Sequence, residues 1–290
     1  MKILVTGGAG FIGTNLIKRL VSEGHEVWSV DNYDTGNMKN HVEGAIYHRE
    51  DIQHERFWNG SIYSWLTGRD IDICFHLAAL SRIQPSFENP LATYRVNTDA
   101  SVHIAEWAKE NNVKVVYAGS SSRWHDPYQS PYACYKHMAE EVFKLYKKVY
   151  NCNFETARFY NVYGPGEIIE GDWAAVIGIW RRQVRDGEKI TIVGDGEQRR
   201  DFTHVTDIVD GLYRIAMSEE KHDDAWELGT GVNFSMNELY HMFKIKFGTE
   251  CIYIPDQPGN YRKTLQENKD ANQRLNWNPT DRLQTYINSL

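Results

Sequence analysis

The chain opens with Met1-Lys-Ile-Leu-Val-Thr-Gly-Gly-Ala-Gly-Phe-Ile-Gly13, which is the most informative stretch of the sequence. Its apolar residues at 3–5 predict a short buried strand, and Gly7, Gly10 and Gly13 fall where a helix would begin. Gly7 permits a tight turn, Gly10 lets the backbone approach a pyrophosphate, and Gly13 lets the helix pack close to the strand. The unpaired N–H groups of the helix N-terminus then face the phosphates. The sequence therefore predicts a dinucleotide site at this turn.

A second apolar segment, residues 27–30, ends at Asp31, which follows Gly13 by 18 residues. A carboxylate at this distance accepts hydrogen bonds from the adenosine ribose and repels a 2′-phosphate. A glycine triplet alone is also typical of ordinary glycine-rich loops. The acid and the strand–turn–helix context favour the cofactor site, and they favour NAD over NADP.

The composition is that of a globular protein, since 41% of the 290 residues are hydrophobic. A formal net charge of −7 argues against a general nucleic-acid or membrane-surface binder, because such proteins carry a basic face. The 4 cysteines and 11 histidines show no metal-ligand spacing, so we expect no metal. No apolar run approaches the roughly 20 residues of a membrane helix. With no signal peptide before the first strand, we expect reduced thiols and a cytoplasmic location.

Apolar runs alternate with amphipathic stretches along the first half of the chain. Strands are predicted at residues 2–5, 26–30, 72–77, 113–118 and 154–159, and helices at residues 11–23, 98–111 and 132–149. This alternation predicts an α/β fold with a Rossmann-type, doubly wound parallel sheet covered by helices on both faces. Ligands of such sheets bind beyond the carboxyl ends of the strands, which is where the motifs fall.

The alternation becomes irregular after Gly164-Pro165. Residues 201–205 and 207–217 predict one further strand–helix unit that returns to the sheet. We therefore predict two parts. They are an NAD-binding domain of residues 1–163 and 201–218, and a smaller, discontinuous C-terminal substrate lobe of residues 164–200 and 219–290.

The segment Ser130-Pro-Tyr-Ala-Cys-Tyr-Lys136 carries residues for proton transfer. Ser130 is a good N-cap and proline suits the first helical position, so Tyr132 lies in a first helical turn with Lys136 one turn later. A tyrosine with a pKa of about 10 needs roughly 4 kcal/mol of help to ionise at neutral pH. A nearby ammonium and a helix N-terminus lower its pKa, which makes Tyr132 a candidate general base. The spacing alone is equally compatible with an amphipathic surface helix.

These motifs resemble the extended short-chain dehydrogenase/reductase family, in its nucleotide-sugar 4-epimerase branch, over nearly the whole chain. The glycine turn matches the family's opening motif, and Tyr132-x-x-x-Lys136 matches its catalytic pair. Further matching segments are Asp51-Ile52, Phe75-His-Leu-Ala-Ala79, Asn97, Arg158-Phe-Tyr-Asn-Val-Tyr-Gly-Pro165, Gly194-Asp-Gly-Glu-Gln-Arg-Arg-Asp-Phe202 and Pro258-Gly-Asn-Tyr-Arg-Lys-Thr264. The resemblance implies an NAD-dependent isomerase that acts on a nucleoside-diphosphate sugar and pairs into a homodimer.

The resemblance also implies which residues contact each ligand. We expect NAD to contact Gly7, Gly10, Phe11, Ile12, Gly13, Asp31, Asn32, Asp51, Ile52, Leu77, Ala78, Ala79, Asn97, Tyr132, Lys136 and Tyr160. We expect the nucleotide sugar to contact Ser81, Ser120, Ser121, Asn161, Arg200, Arg262 and Thr264. The two arginines would hold the diphosphate, since planar guanidinium groups match phosphate oxygens in a bidentate way. Arginines in general more often form surface salt bridges, so only the motif context supports this role.

The third catalytic residue of the family is a Ser or Thr that closes the strand before the loop. Here Gly119-Ser-Ser-Ser122 follows that strand, and alignment assigns the role to Ser120, with either later serine of the run as the alternative. Two features depart from the family. Arg123-Trp-His125 replaces the usual ending, and Ser120 precedes Tyr132 by only 12 residues, so the loop over the sugar is short.

Family dehydratases carry an Asp-Glu pair after this serine and decarboxylases carry an acid, whereas this chain has Ser-Ser-Arg. We therefore expect a 4-epimerase, in which Tyr132 takes the C4 hydroxyl proton while hydride passes to NAD and later returns to the other face. A 4,6-dehydratase or reductase that uses His125 or Glu167 as its acid is the alternative, and an inactive NAD-binding scaffold is a further one. Thr264 is a small residue at the position that restricts the sugar, which favours a UDP-N-acetylhexosamine over a plain UDP-hexose.

Overall fold

Apolar and β-branched runs form the strands that carry the site, and amphipathic helices cover them. A computed structural model describes residues 1–54, 65, 66 and 68–290. Its strands are β1 (Lys2–Thr6), β2 (Glu26–Asp31), β3 (Ala45–Arg49), β4 (Ile73–His76), β5 (Lys114–Ser120), β6 (Phe154–Phe159), β7 (Asn161–Tyr163), β8 (Ile190–Val193), β9 (Arg199–His204), β10 (Trp226–Leu228), β11 (Asn233–Ser235) and β12 (Cys251–Ile254).

The described helices follow the predicted amphipathic stretches and add shorter ones. They are α1 (Phe11–Ser22), α2 (Ile83–Glu88), α3 (Pro90–Tyr94), α4 (Ala100–Glu110), α5 (Pro131–Tyr150), α6 (Val176–Arg185), α7 (Val205–Met217), α8 (Met236–Phe247), α9 (Asp270–Arg274) and α10 (Leu283–Ser289). A π-helical turn, Arg95–Asp99, precedes α4. Within the described part of the chain, no helix is both long and apolar enough to cross a bilayer.

The central sheet has seven described strands in the order β10-β6-β5-β4-β1-β2-β3, and every neighbouring pair is parallel. This arrangement confirms the prediction of a doubly wound α/β fold. The five predicted strands are β1, β2, β4, β5 and β6. The two strands at the edges of the sheet, β3 and β10, were not predicted.

Apolar clusters cover the two faces of this sheet. Because successive side chains of a strand point to opposite faces, Val5 packs with Leu16 of α1 and Leu212 of α7, whereas Leu4 packs with the cluster of α4 and α5 that includes Phe143. Each fully buried side chain of this size contributes about 1.5–3 kcal/mol. The sheet is therefore fixed from both sides, and its carboxyl edge is held as a rigid platform.

Two smaller sheets lie beside the central one. Strands β11, β9 and β7 form the first, and β12 pairs with β8 in the second. A third apolar cluster, which includes Trp180 of α6 and Phe243 of α8, supports them. Strands β8, β11 and β12 lie in segments predicted as the substrate lobe, whereas β7 and most of β9 lie in segments assigned to the NAD-binding domain. Residues of both smaller sheets line the cleft described below.

The prediction for residues 201–205 was wrong in one respect. These residues belong to β9, which pairs with β7 and β11 and not with the central sheet. The following helix, α7, does pack on the central sheet. The strand that completes the sheet is β10, which pairs with β6 and lies within the segment assigned to the substrate lobe. Alternation of strands and helices does not encode which sheet a strand joins, and this accounts for the error.

Candidate active site

A cleft of about 810 Å³ lies at the carboxyl ends of the central strands, where the sequence placed the ligands. Its lining contains nearly all of the predicted site residues. On the cofactor side these are Gly7, Gly10, Phe11, Ile12, Gly13, Asp31, Asn32, Asp51, Ile52, Leu77, Ala78, Ala79, Tyr132, Lys136 and Tyr160. On the substrate side they are Ser81, Ser120, Ser121, Asn161, Arg200 and Thr264.

The glycine turn after β1 leaves no room for side chains. Gly7 has a φ of +73°, and a Cβ added to Gly13 would lie 2.2 Å from the Gly7 carbonyl oxygen. Gly10 is the N-cap of α1 and supplies no side chain to its first turn. The N–H groups there thus remain available to an anion at the positive end of the helix. This cradle fits the pyrophosphate of NAD.

Asp31, at the end of β2, supports the turn. Its Oδ2 accepts a hydrogen bond from the Ala9 N–H at 2.9 Å, and its Oδ1 accepts one from the Tyr33 N–H at 2.8 Å. Burial raises the pKa of this carboxyl, and the two backbone hydrogen bonds only partly offset that rise. The position of Asp31 fits its predicted role at the adenosine ribose.

Tyr132 and Ser120 lie together at the other end of the cleft. The Tyr132 hydroxyl donates to Ser120 Oγ at 3.4 Å. As predicted, Ser130 caps α5, and its Oγ accepts from the Ala133 N–H at 3.1 Å. Tyr132 is therefore in the first turn of the helix, with Lys136 one turn later. Of the three serines that follow Gly119, the structure brings Ser120 to the tyrosine.

The ionisation of these groups differs from the expectation. Burial raises the pKa of Tyr132, while the hydrogen bond with Ser120 and the charge of Arg82 lower it less. Burial lowers the pKa of Lys136 to about 7, and its Nζ donates to the Ala118 carbonyl oxygen at 2.6 Å. Arg82 is a cation that lowers the pKa of Tyr132 in this structure. The predicted effect of Lys136 on the tyrosine stays a prediction.

Glu140 lies one further turn along α5 and connects this group to the sheet. Its Oε1 accepts from the Ser120 N–H at 3.2 Å, and its Oε2 accepts from Arg158 Nε at 2.9 Å. A Cβ added to Gly119 would lie 2.7 Å from Glu140 Oε1, so the glycine makes room for this carboxylate. Glu140 thereby fixes the end of β5 that presents Ser120.

The predicted substrate residues come from the smaller sheets and the loop after β12. Thr264 is buried, and its hydroxyl donates to Asn161 Oδ1 at 3.4 Å. Arg200 donates from Nη2 to Asn260 Oδ1 at 2.6 Å, and burial lowers its pKa to about 10. Arg200 therefore reaches the cleft as a partly desolvated cation, as a diphosphate site requires.

Two predicted residues lie outside the cleft lining. Asn97 is buried and bonds both polar groups of Leu80, accepting from its N–H at 2.8 Å and donating to its carbonyl at 2.9 Å. It therefore shapes the loop after β4. The side chain of Arg262 is 68% exposed and forms a bidentate pair with Asp195 at 2.8 Å. Its predicted contact with the diphosphate stays a prediction.

Sequence reasoning missed Arg82 and Glu140 and left Glu167 without a position. The structure places Arg82 and Glu167 in the cleft lining, and Glu167 Oε2 is buried without a hydrogen-bond partner among the described residues. His125, the other candidate acid, instead stacks on the Tyr261 ring at 3.9 Å outside that lining. The spacing of Glu140, four residues after Lys136, was a usable signal because it puts both on one helix face.

Comparisons with known proteins agree with this geometry. The model of the NAD dependent epimerase/dehydratase family matches residues 3–229. A putative UDP-glucose 4-epimerase of Methanocaldococcus jannaschii is 30% identical over 96% of this chain and 93% of its own length.

Two solved structures are similar over the whole chain. One is the UDP-glucose 4-epimerase of Thermotoga maritima with UDP-glucose, with a TM-score of 0.91, 29% identity and coverage of 99% of this chain and 96% of that one. The other is the UDP-glucose 4-epimerase of Thermus thermophilus with NAD, with a TM-score of 0.89, 25% identity and coverage of 99% and 97%. The chain belongs to the NAD dependent epimerase/dehydratase family.

Proposed function

We propose that this protein is an NAD-dependent nucleotide-sugar 4-epimerase. The observation that carries the proposal is the contact between Tyr132 and Ser120, 3.4 Å apart at the end of a cleft whose other end is a dinucleotide turn. The relatives named above as UDP-glucose 4-epimerases support both the reaction and a UDP-sugar substrate.

In the proposed mechanism the glycine turn and Asp31 would hold NAD, which would supply the acceptor for hydride from C4 of the sugar and the source for its return within the turnover. Tyr132 takes the proton of the C4 hydroxyl and later returns it to the same oxygen. Ser120 hydrogen-bonds that oxygen, and Glu140 keeps Ser120 in place. Arg200 and Asn161 hold the diphosphate while the 4-keto sugar turns its other face toward the cofactor.

A 4,6-dehydratase is the second candidate, and Glu167 is the observation that favours it. This carboxyl lies in the cleft lining, and burial raises its pKa, as an acid catalyst would need. Its Oε1 is nevertheless engaged by Tyr286 at 2.8 Å and by Arg181 at 2.9 Å. The segment after Ser120 supplies no carboxylate, so the epimerase is the better-supported function.

The proposed sugar is a UDP-N-acetylhexosamine or a UDP-hexose. Thr264 is a small, buried side chain whose hydroxyl is engaged with Asn161 and the Asp201 N–H. It therefore leaves space beside the sugar that a bulkier residue would fill. UDP-glucose and UDP-N-acetylglucosamine are the first substrates to compare.

Replacing Tyr132 with Phe removes the proposed base and one hydroxyl, and we expect 4-epimerisation to stop. Products from UDP-glucose and UDP-N-acetylglucosamine are read by NMR, which separates C4 epimers from the 4-keto-6-deoxy sugar of a dehydratase. Tyr128→Phe is the matched control, because Tyr128 is 88% exposed on the same loop and its hydroxyl should not matter. Near-normal turnover by Tyr132→Phe would overturn the proposed mechanism.

We also propose that the protein is a homodimer joined through α4 and α5. Helix α5 exposes the apolar side chains of Met138, Leu145 and Val149, which recur at helical spacing along one stripe. A partner copy would cover this stripe. Sedimentation equilibrium that gives a monomer mass at micromolar concentration would remove the proposal.

A cytoplasmic location is part of the same proposal. The four cysteines of the chain are free and none forms a disulfide, as expected for a reducing compartment. The formal charge of −7 supports a small-molecule substrate over nucleic acid or a membrane surface. Fractionation of the source cells would test the location.

A further inference from the structure

Arg82 is a cleft residue that the proposed mechanism does not use. It lies at the N-cap of α2, in the loop that follows β4, and it lines the cleft together with Tyr132 and Ser120. Its Nε donates to the Trp173 carbonyl oxygen at 2.8 Å, and its Nη1 donates to the Ser81 carbonyl oxygen at 3.3 Å. These two bonds hold the guanidinium in one place.

Arg82 has further donors that these two bonds do not use. A guanidinium has five N–H groups, and two of them are used. The others find no acceptor among the described residues, and no ion pair joins Arg82 to a described carboxylate. Arg82 is half-buried, and an anion that binds here would accept hydrogen bonds from the unused donors of the guanidinium.

Glu167 does not supply an anion for the unused donors of Arg82. Its charge acts on Arg82 from beyond ion-pair distance, and its Oε1 is already bonded to Arg181 and Tyr286. The cleft lining also contains the cations Lys136 and Arg200 and the acids Glu88 and Asp172, and within the described part of the chain no ion pair joins either acid to Arg82. The surroundings of Arg82 therefore favour an anion that enters with a ligand.

The position of Arg82 indicates which part of the ligand carries that anion. Ser86, one turn after Arg82 on α2, accepts a hydrogen bond from the Tyr132 N–H at 3.1 Å, which places the start of α2 and Arg82 at the reacting end of the cleft. The diphosphate belongs to Arg200 and Asn161 in the proposed function, on which this inference rests. The anion is thus a group on the sugar itself.

We propose that Arg82 is a specificity-determining residue that binds a carboxylate on the sugar, so that nucleotide uronic acids are preferred over neutral nucleotide sugars. A planar guanidinium offers two parallel N–H donors to a planar carboxylate. The same contact neutralises the carboxylate beside Tyr132, which would otherwise oppose ionisation of the tyrosine. A carboxylate at C5 and an N-acetyl group near Thr264 are compatible with one another.

The test compares UDP-glucuronate, UDP-glucose and UDP, because the first two differ only in the charged group and the third lacks the sugar. Binding is measured by calorimetry with NAD present, in the Tyr132→Phe background so that the ligand stays unchanged. We expect this parent to bind UDP-glucuronate more tightly than UDP-glucose by on the order of tenfold to a hundredfold. In Arg82→Gln the two sugars should bind equally, with the affinity for UDP unchanged.

Further variants make the outcome decisive. Arg82→Lys keeps the positive charge but lacks the two parallel N–H donors, and we expect it to retain part of the preference for UDP-glucuronate. Arg185→Gln removes an exposed arginine outside the cleft lining and should retain the full preference for UDP-glucuronate. Unchanged affinity for UDP also shows that each variant is folded.

Several results would overturn the inference. These are a parent with no preference for the anionic sugar, a preference that survives in Arg82→Gln, and an equal loss of affinity for UDP, which would place Arg82 on the diphosphate. Failure of the proposed function is separate, because it appears as an absence of turnover in the wild type. The binding comparison gives its answer whether or not the wild type epimerises.

Discussion

The buried amine of Lys136 lowers the stability of the folded protein when it is charged. Lys136 is 4% exposed, and burial lowers its pKa from 10.5 to about 7. The folded protein therefore holds this proton less tightly than the unfolded chain does. Between pH 7 and pH 10.5 the unfolded chain binds more protons at this residue, so stability from Lys136 rises with pH across that range.

This sign predicts the behaviour of Lys136→Met in the cofactor-free protein. Because the variant lacks the buried amine, its unfolding free energy should exceed that of the wild type by the largest amount at or below pH 7. That advantage should shrink steadily toward pH 10. Urea unfolding at several pH values measures it, with Lys148→Met, an exposed position on α5, as the control. A difference that does not change with pH would contradict the prediction.

Individual site residues were predictable only where they belong to a motif with fixed spacing. The glycines after β1, Asp31, and the Tyr132/Lys136 pair follow such spacing, and the structure places all of them in the cleft lining. Arg82 follows no periodic pattern, because a loop residue reaches the site through the path of the backbone. The pKa of Tyr132 could also not be predicted from the sequence, since it depends on burial and on the charge of Arg82, which no motif indicated.

At the scale of one element, α1 and its glycine turn act as a unit. The helix begins directly after the turn and packs on β1 through Leu16 and Ile17, which are fully buried. Its close approach to the turn depends on the missing side chain of Gly13. The N–H groups that we expect to bind the phosphates therefore keep their direction only while the helix stays in contact with the turn.

We expect Gly13→Ala to lower NAD affinity by at least about tenfold, because its Cβ would lie 2.2 Å from the Gly7 carbonyl oxygen and displace the helix. Calorimetric titration with NAD measures this loss. Gly24→Ala is the control. Its Cβ meets no atom of the described residues within 4 Å, but its φ of +78° strains an alanine by about 1 kcal/mol. Gly24→Ala should lose stability yet bind NAD normally, and equal losses of affinity would contradict the argument.

Elements were predicted well where apolar patterning was strong. Helix α5 was expected at residues 132–149 and spans Pro131–Tyr150. Strand β3 was missed because its residues, Ala-Ile-Tyr-His-Arg, lie at a sheet edge where only one side needs to be apolar. Strand β10 is only three residues long, too short to show any period.

At the scale of the whole molecule, a buried ion cluster around Arg158 joins the helix layer to the far edge of the sheet. Arg158 on β6 pairs with Glu140 of α5 at 2.9 Å, Glu227 of β10 at 3.1 Å and Asp224 at 2.7 Å. Burial alone would lower the pKa of Arg158, but the three carboxylates raise it above its usual value. The cluster therefore connects the strand at the sheet edge to the carboxylate that positions Ser120.

Arg158→Met should lower the unfolding free energy by about 3–5 kcal/mol, because it leaves Glu140 and Glu227 buried without their cation. Part of the loss should return between pH 7 and pH 5, since carboxyl groups with a raised pKa bind protons more tightly in the folded state. Arg185→Met removes an exposed pair and should cost less than about 1 kcal/mol. Urea unfolding compares the two variants, and similar losses would contradict a structural role for the cluster.

The late position of β10 in the sequence also affects how the protein folds during translation. Strand β6 ends at Phe159, and its outer neighbour, β10, begins at Trp226. Strands β7, β8 and β9 of the two smaller sheets lie between them in the sequence. While the chain emerges from the ribosome, β6 is an open sheet edge until β10 has been translated. Open edges are where nascent chains pair with wrong partners. Translation speed and chaperone access over this interval therefore bear on the yield of folded protein.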